Sequence, residues 1–221
     1  MVRCGEGAIL PRPFSIHQVI GEDIAIFLAV LEDGKGTNWL ALRQENEAIE
    51  LFGPLGNGFS LRPGAKNLLL VAGGIGVAPL CFLAQEAVRK RRSVTLLLGA
   101  ATAAQLYPEN LLPSKIRMEV ATEDGTAGRK GRVTKFIPDF IDGADQVFAC
   151  GPMPMYREMS QQRGKLLEGK PAQISLEVVM GCGRGVCYGC TIKTKDGLKE
   201  VCTDGPVFNL DEVLWDELGL S

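Results

Sequence analysis

The sequence predicts an α/β fold with a parallel sheet, preceded by a β-rich segment and followed by a small cysteine-rich module. Two observations carry this prediction. Over residues 66–166, apolar strand-like runs alternate with helical segments, a pattern typical of a parallel sheet whose strands are joined by helices. Four of the seven cysteines lie within one glycine-rich stretch, residues 180–208. That clustering indicates a separate module with its own chemistry.

The first 64 residues have the pattern of a small β-rich domain. Two apolar runs, PRPFSIHQV and DIAIFLAVL, predict strands separated by a turn at Glu22 and Asp23. A third run, AIELFGP, predicts another strand, and GKGTNWLALR before it predicts a short helix with Thr37 as N-cap. The start of such a helix favours a phosphate, but an ordinary capped helix explains this segment equally well.

One short motif in this segment, Arg12-Pro13-Phe14-Ser15, suggests a nucleotide contact. An arginine guanidinium grips a pyrophosphate through two hydrogen bonds, because its donors form a fork. Phe14 offers a flat ring for stacking, and Ser15 offers a hydroxyl that hydrogen-bonds a ring nitrogen. Phe14 also fits an ordinary core position, so the motif alone leaves both interpretations open.

Two glycine turns mark the predicted parallel sheet. The first, GGIGVAP at residues 73–79, lies between the buried run LLLVAGG and a helix predicted to extend to Lys90. The second, CGPM at residues 150–153, follows the run QVFAC. A doubly wound sheet binds a dinucleotide at such a position, although the first turn is not the strict G-x-G-x-x-G fingerprint. Both turns follow strands, so we expect them to share one crevice.

The cysteine stretch matches a known metal-cluster spacing. Its cysteines are Cys182, Cys187, Cys190 and Cys202. The first three have the C-x4-C-x2-C spacing of plant-type [2Fe–2S] proteins, with the fourth further along. The glycines between them leave room for backbone N–H groups to approach bridging sulfides. A structural zinc site is the alternative, but only one C-x2-C pair is present; free thiols are the other.

Composition narrows the choice of partners. The chain is 46% hydrophobic and 23% charged, which suffices for packed cores. A net charge of −2 gives no support for nucleic-acid or anionic-membrane binding. The uncharged stretch at residues 67–85 contains glycines and Pro79 at its centre, so it predicts a strand, a turn and a helix rather than a membrane span. No secretory signal pattern opens the chain, and the cysteine usage fits a reducing cytoplasm.

Several of these motifs occur in the order found in one known family. They are RPFS at residues 12–15, GT at 36–37, GPLGNGF at 53–59, GGIGVAPL at 73–80, CGPMPM at 150–155 and the cysteine loop ending in DGPVF at 204–208. The chain resembles the electron-transfer subunits of NAD-linked dihydroorotate dehydrogenases, which belong to the ferredoxin–NADP reductase-like flavoproteins. The resemblance runs over the whole chain, and the cysteine loop with DGPVF is its most specific part.

The resemblance implies three domains and three groups of site residues. The domains would be an antiparallel β-barrel that binds FAD (residues 1–64), a doubly wound NAD domain (65–168) and a [2Fe–2S] module (169–221). The FAD contacts would be Arg12, Pro13, Phe14, Ser15, Ala29, Val30, Leu31, Gly36 and Thr37. The nicotinamide of NAD would meet Gly73, Gly74, Gly76, Pro79, Cys150, Gly151, Pro152 and Met153. The cluster ligands would be Cys182, Cys187, Cys190 and Cys202.

The resemblance also implies a function. The chain would be the NAD-reducing subunit of a cytoplasmic oxidoreductase complex in pyrimidine (UMP) biosynthesis. Two such subunits would pair with two FMN-containing catalytic subunits that oxidise dihydroorotate, and electrons would pass from FMN through the cluster and FAD to NAD⁺. No catalytic acid or base is expected, because the flavin carries the hydride chemistry. NAD rather than NADP is expected, since Ala100, Ala101 and Thr102 follow Gly99 where relatives place an arginine for the 2′-phosphate.

Members of this family usually carry a few dozen more residues before the point where this chain begins, so we expect the barrel to lack its first strands. Two other functions remain open. One is the diaphorase-like gamma subunit of a soluble hydrogenase or sulfite reductase, although Tyr188-Gly189 and GPLGNGF favour the dihydroorotate enzyme. The other is a zinc-stabilised module that binds a nucleotide or a partner.

Overall fold

The segment that precedes the parallel sheet has few regular elements. In the computed structural model, which describes residues 1–5, 7 and 9–218, it contains strands β1 (Gln18–Ile20) and β2 (Asp23–Ala25) and helix α1 (Lys35–Ala41). β1 and β2 pair as an antiparallel ribbon, and Val2 forms isolated bridges with Arg12 and Leu51. The predicted strands are therefore present only in part, and the described residues form an open fragment of the expected barrel.

Helix α1 starts earlier than the sequence predicts. Its N-cap is Gly34, and Thr37 lies inside the first turn. The Thr37 hydroxyl donates to the Gly34 carbonyl (3.1 Å) and accepts a hydrogen bond from the Leu31 N–H (3.2 Å). The prediction of Thr37 as N-cap is wrong, because its hydroxyl bonds the backbone of Leu31 and Gly34 and does not accept from the free N–H groups of the first turn.

A seven-stranded sheet organises the rest of the chain. The strands after β2 are β3 (Asn67–Gly73), β4 (Ser93–Ala100), β5 (Arg117–Thr122), β6 (Arg129–Lys130), β7 (Gln146–Cys150), β8 (Ala172–Ser175), β9 (Thr191–Thr194), β10 (Gly197–Glu200) and β11 (Val207–Asn209). The order across the sheet is β11-β8-β7-β3-β4-β5-β6, and all of these strands are parallel except β11. The predicted parallel α/β sheet is confirmed. β8 and β11 join the cysteine module to it, while β9 and β10 form a separate hairpin.

Helices cover the two faces of this sheet. They are α2 (Val77–Arg89), α3 (Pro138–Ile141), α4 (Met153–Gln161) and α5 (Arg163–Leu167). Side chains of β3 alternate between the faces: Leu70 packs with α2, whereas Val71 packs with Tyr156 of α4. The second of these cores continues into the cysteine module as far as Trp215, so module and sheet share one apolar interior.

Polar groups fasten the first segment to the sheet. The Gln146 side chain at the start of β7 accepts from the Arg62 N–H and donates to the Ser60 carbonyl, both at 2.9 Å. The Asp145 carboxylate accepts from the N–H groups of Lys66 and Asn67 at 2.8 Å. These bonds satisfy the backbone of the linker as it enters β3.

The C-terminal run NLDEVLWDEL does not form the amphipathic helix that its pattern predicts. Asn209 ends β11, residues 210–218 form turns and irregular structure, and Val213 bridges Thr194 of the β9–β10 hairpin. The Lys195 N–H donates to the Glu212 carbonyl and the Leu214 N–H to the Lys193 carbonyl. The backbone groups that a helix would use are thus paired with the hairpin edge.

The uncharged stretch at residues 67–85 forms β3, a glycine turn and the start of α2, as predicted. Across the described residues, none of the helices combines the length and the apolar character that a bilayer crossing requires.

Candidate functional site

Three strands of the sheet end at one crevice. β3, β4 and β7 are neighbours, and a cavity of about 450 Å³ lies at their carboxyl ends. Both glycine turns line it, through Gly73 and Gly74 on one side and Gly151 and Pro152 on the other. Open α/β sheets bind their ligands in this type of crevice. The expectation that the two turns share one crevice is met by this geometry.

The glycines of these turns leave no room for side chains. A Cβ on Gly151 would lie 3.0 Å from the Gly73 Cα, and a Cβ on Gly73 would lie 2.6 Å from the Pro152 Cδ. A Cβ on the buried Gly76 would overlap the Cys150 carbonyl. Glycine at these three positions therefore lets backbone, rather than side chains, form the wall of the crevice.

Four of the predicted NAD residues lie behind the wall instead of lining the cavity: Gly76, Pro79, Cys150 and Met153. Pro79 and Met153 belong to the first turns of α2 and α4, and Cys150 is the last residue of β7. Burial raises the pKa of the Cys150 thiol to about 12, so it stays neutral near pH 7. These residues shape the turns, and their assignment as NAD contacts stays a prediction.

Charged residues that no motif singled out also line the cavity. Arg132 follows β6, Glu123 follows β5 and Glu177 comes two residues after β8. Their position just beyond the carboxyl ends of strands was the available signal. Arg132 lines the same cavity as Ala100 and Ala101, so a basic residue is present there. It follows β6, whereas the expectation of NAD rests on the residues at the end of β4.

A buried tyrosine holds the second glycine turn in place. The Tyr156 hydroxyl accepts a hydrogen bond from the Gly151 N–H (2.8 Å) and donates one to the Ser175 carbonyl (2.6 Å). Its ring is fully buried and packs on Trp215, with 5.8 Å between ring centroids. Burial raises the Tyr156 pKa well above its usual value, so the hydroxyl remains a donor. This contact links the crevice to the end of β8, from which the chain enters the cysteine loop.

The segments predicted to bind FAD meet beside α1. A Cβ on Gly36 would lie 3.2 Å from the Arg12 Cγ, so the arginine stem crosses the first turn of the helix. The hydrogen bond from the Leu31 N–H to Thr37 brings the run 29–31 to the same turn. The Arg12 guanidinium is exposed and donates to the Leu10 carbonyl at 3.3 Å. Arg12, Leu31, Gly36 and Thr37 thus converge, and their role toward FAD stays a prediction.

Phe14 takes a core position in this segment. It is half-buried and packs against the cluster formed by Val2 and Cys4. The other predicted FAD contacts, Pro13, Ser15, Ala29 and Val30, are exposed. Phe14 is only partly buried, so its assignment as a FAD contact stays a prediction.

The four cysteines of the loop form two pairs. The Cys182 thiol interacts with that of Cys187, and the Cys190 thiol with that of Cys202. In the part of the chain that the structure describes, no three His, Cys, Asp or Glu side chains surround a single point as one metal ion requires. Two thiolates for each of two irons is the donor set of a [2Fe–2S] cluster, and the residues present fit that group.

Backbone N–H groups of the loop point at the sulfurs. The Arg184 N–H lies 3.3 Å from the Cys182 Sγ, and the Gly185 N–H lies 3.2 Å from the Cys202 Sγ. Gly185 has a positive φ of 71° and lies close to the Thr203 side chain, which favours glycine there. Such N–H···S contacts stabilise the thiolate form that binds iron.

The two pairs have different environments. Cys187 is exposed, whereas Cys190 and Cys202 are buried in the core that the module shares with the sheet. Hydrogen bonds from the Arg184 and Val186 N–H groups lower the pKa of Cys182 to about 6, and burial raises that of Cys190 to about 11. One side of the loop thus faces solvent, and the other faces the interior.

Two family models match this chain. One is the iron–sulfur cluster binding domain of dihydroorotate dehydrogenase B, over residues 177–214. The other is the oxidoreductase NAD-binding domain, over residues 70–161. The matched ranges contain the cysteine loop and both glycine turns.

Curated relatives match over nearly the whole chain. The dihydroorotate dehydrogenase B (NAD(+)) electron transfer subunit of Bacillus caldolyticus is 37% identical over 211 residues, which cover 93% of this chain and 80% of the relative. The subunit of the same name from Bacillus cereus (strain B4264) is 39% identical, over 95% of this chain and 82% of the relative. The chain belongs to the dihydroorotate dehydrogenase B electron transfer subunit family. It is therefore an oxidoreductase electron-transfer subunit with an NAD-binding domain and an iron–sulfur domain, as predicted.

A solved structure confirms the fold of this family member. It was described as giving insights into flavin-based electron bifurcation through the NADH-dependent reduced ferredoxin-NADP oxidoreductase structure. The match has a TM-score of 0.86 and 30% identity, and it covers 98% of this chain and 78% of the other. The predicted ferredoxin reductase-like fold is thus confirmed. FAD, [2Fe–2S] and NAD, the predicted cofactors, agree with this fold and the two matched domains.

Proposed function

We propose that this chain carries electrons from an FMN-containing catalytic subunit that oxidises dihydroorotate to NAD⁺, in pyrimidine (UMP) biosynthesis. The observation that carries the proposal is the family membership, which spans both the crevice and the cysteine loop. The two sites lie on one continuous apolar core. When bound, the flavin exchanges hydride with the nicotinamide, and the cluster exchanges single electrons with the partner and the flavin.

The crevice residues bind and orient the dinucleotide. Gly73 and Gly151 let the two turns pack closely against each other, so the backbone of both turns lies next to the bound dinucleotide. Tyr156 fixes the position of Gly151 through its hydrogen bond. Arg132 adds positive charge to the cavity, which favours a pyrophosphate. Positioning of this kind is the main contribution of a protein to cofactor chemistry.

The first segment would hold FAD. Arg12 and the first turn of α1 at Gly36 and Thr37 would meet the pyrophosphate, and the run 29–31 would contact the flavin side through backbone. The convergence of Arg12 with Gly36 and of Leu31 with Thr37 supports this assignment. Pro13, Phe14 and Ser15 would line the edge of the flavin. We also propose that the FAD domain ends at residue 64 and the NAD domain at residue 168.

The cysteine loop would hold the cluster with one side open to a partner. Cys187 is exposed and three apolar or aromatic neighbours, Val179, Val186 and Tyr188, are also exposed. A catalytic subunit that docks here would deliver electrons on this side, while the buried pair, Cys190 and Cys202, faces the interior. We propose a complex of two such subunits with two catalytic subunits, located in the cytoplasm.

The test is to purify the chain from its source cell and identify its colour, metal and partner. We expect flavin absorption, a [2Fe–2S] spectrum and, by native mass spectrometry, an FMN-containing partner. The complex should form NADH from NAD⁺ and dihydroorotate, whereas the chain alone should not. A colourless protein with bound zinc would overturn the proposal. A partner of the hydrogenase, sulfite reductase or ferredoxin-NADP oxidoreductase type would show that the complex acts on a substrate other than dihydroorotate. The electron-transfer role of this chain would then still hold.

A further inference from the structure

The GPLGNGF loop, residues 53–59, packs against the cysteine module instead of the crevice. Its fifth residue, Asn57, makes the main contacts. The Asn57 side-chain amide donates to the Thr203 carbonyl (3.2 Å) and to the Asp204 carbonyl (3.0 Å). These two carbonyls belong to the residues that directly follow the ligand Cys202. One amide group therefore binds both peptide units behind a predicted iron ligand.

The backbones of the loop and the module are also in direct contact. The Asn57 N–H donates to the Gly205 carbonyl at 2.5 Å, and the Val207 N–H donates to the Asn57 carbonyl at 3.4 Å. A Cβ on Gly56 would overlap the Gly205 carbonyl, and Gly56 has a positive φ of 65°. Only glycine allows the two backbones to approach this closely.

The same segment contacts the other side of the cysteine loop. A Cβ on Gly183 would lie 3.1 Å from the Leu55 Cδ1 and 3.2 Å from a ring carbon of Phe52. The Arg184 guanidinium lies over the Phe52 ring, 5.4 Å from its centroid. Residues 52–57 thus contact the module both next to Cys182 and next to Cys202.

We propose that Asn57 is a positioning residue that fixes the cluster turn relative to the flavin-binding segment. The consequence for electron transfer rests on the proposed function, but the hydrogen bonds themselves do not. Asn57 lies 146 residues from Thr203 in sequence, so its amide joins two parts of the chain that the shared core does not hold together. Electron exchange between two centres falls steeply with their separation, so a shift of the cluster turn away from the flavin-binding segment would slow the exchange.

Two variants test this role. Asn57→Asp keeps the shape of the side chain and turns the donor into an acceptor that faces two carbonyls. Asn57→Ala removes the amide altogether, and it serves if the aspartate variant does not fold. Asn110→Ala is the matched control, because Asn110 is exposed and its side chain makes no hydrogen bond in the described part of the chain. All variants are made in the full chain with its bound cofactors.

The first measurement is hydrogen–deuterium exchange of the backbone amides of residues 203–207. We expect Asn57→Ala to speed exchange at Val207 by about tenfold, as expected for the loss of two hydrogen bonds next to it, and Asn110→Ala to change nothing. Iron, sulfide and flavin contents should stay at the unmutated level. Unchanged exchange in both Asn57 variants would overturn the proposal.

The second measurement is rapid mixing with NADH, followed separately at flavin and cluster wavelengths. We expect the flavin signal of Asn57→Asp to change at the unmutated rate and the cluster signal to change a few-fold more slowly, because only the separation between the two centres is altered. Equal slowing of both signals, or of neither, would contradict a positioning role. An unmutated protein that lacks both chromophores would contradict the proposed function, and the exchange measurement would still decide the role of Asn57.

Discussion

Among the described residues, the segment of residues 1–64 buries only Val2 and Cys4 as apolar side chains, whereas β3 alone buries five consecutive residues, 68–72. The segment docks on the sheet through a few rings, such as Phe27 on Tyr107 and Phe59 on Phe148. The crevice and the cysteine loop, in contrast, lie on a continuous core. We infer that the segment predicted to bind flavin depends on its ligand for order, while the crevice and the cysteine loop, where we predict the nicotinamide and the cluster, are preformed, since a ligand that binds only the folded form stabilises it.

Loss of one thiolate tests the preformed side and has the largest expected effect. We expect Cys187→Ser to abolish the cluster, because a serine hydroxyl is a poor iron ligand. Iron and sulfide analysis of the purified protein should fall to background, while flavin content is retained. Cys81→Ala is the control, since Cys81 is buried in α2, away from the loop. Unchanged iron and sulfide in Cys187→Ser would show that the pairing of the four thiols is not a cluster site.

The ligand-dependent side is tested at Arg12. We expect Arg12→Ala to weaken FAD binding by about 1.5–3 kcal/mol, because a charged hydrogen bond to phosphate is lost. That corresponds to roughly 10- to 150-fold in the dissociation constant, measured by flavin retention after dialysis. Arg3→Ala is the control, because Arg3 is an exposed arginine of the same segment that pairs with Glu50. Full flavin occupancy in the Arg12 variant would place the pyrophosphate elsewhere.

The contact between the crevice and the cysteine module is tested at Tyr156. Tyr156→Phe removes one oxygen and leaves the Gly151 N–H and the Ser175 carbonyl without their buried partner. We expect the free energy of unfolding in urea to fall by about 1–3 kcal/mol. Tyr188→Phe, at a side chain that is 70% exposed, should change it by less than about 0.5 kcal/mol. Equal effects in the two variants would mean that the buried hydroxyl adds no stability.

The segment of residues 1–64 and the sheet with its cysteine module also differ in how much of their structure the sequence predicts. β3 and the glycine turns were predictable because a continuous apolar run followed by glycine has one common explanation in an α/β chain. The C-terminal run NLDEVLWDEL was predicted wrongly, because its amphipathic pattern serves an edge contact with β9 that no local pattern reveals. The site residues missed, such as Arg132 and Tyr156, belong to no motif: Arg132 lines the cavity because of the strand order, and the Tyr156 hydroxyl joins the ends of two strands at Gly151 and Ser175. Asn57 is the extreme case, because its partners Thr203 and Asp204 belong to another module.

The smallest expected effect concerns the choice between NADH and NADPH. We expect the unmutated protein to prefer NADH, because no basic residue follows Gly99. Arg132, which lines the same cavity, is exposed, so its contribution to binding should be at most about 1 kcal/mol and should weaken with salt. If Arg132 meets the pyrophosphate, which both cofactors share, Arg132→Ala should lower kcat/KM for NADH and NADPH by the same factor, up to about fivefold. A diaphorase assay with both cofactors at two salt concentrations measures this. Equal kcat/KM for the two cofactors in the unmutated protein would contradict the expected preference for NADH. A loss confined to NADPH in Arg132→Ala would instead assign Arg132, which follows β6, to the 2′-phosphate.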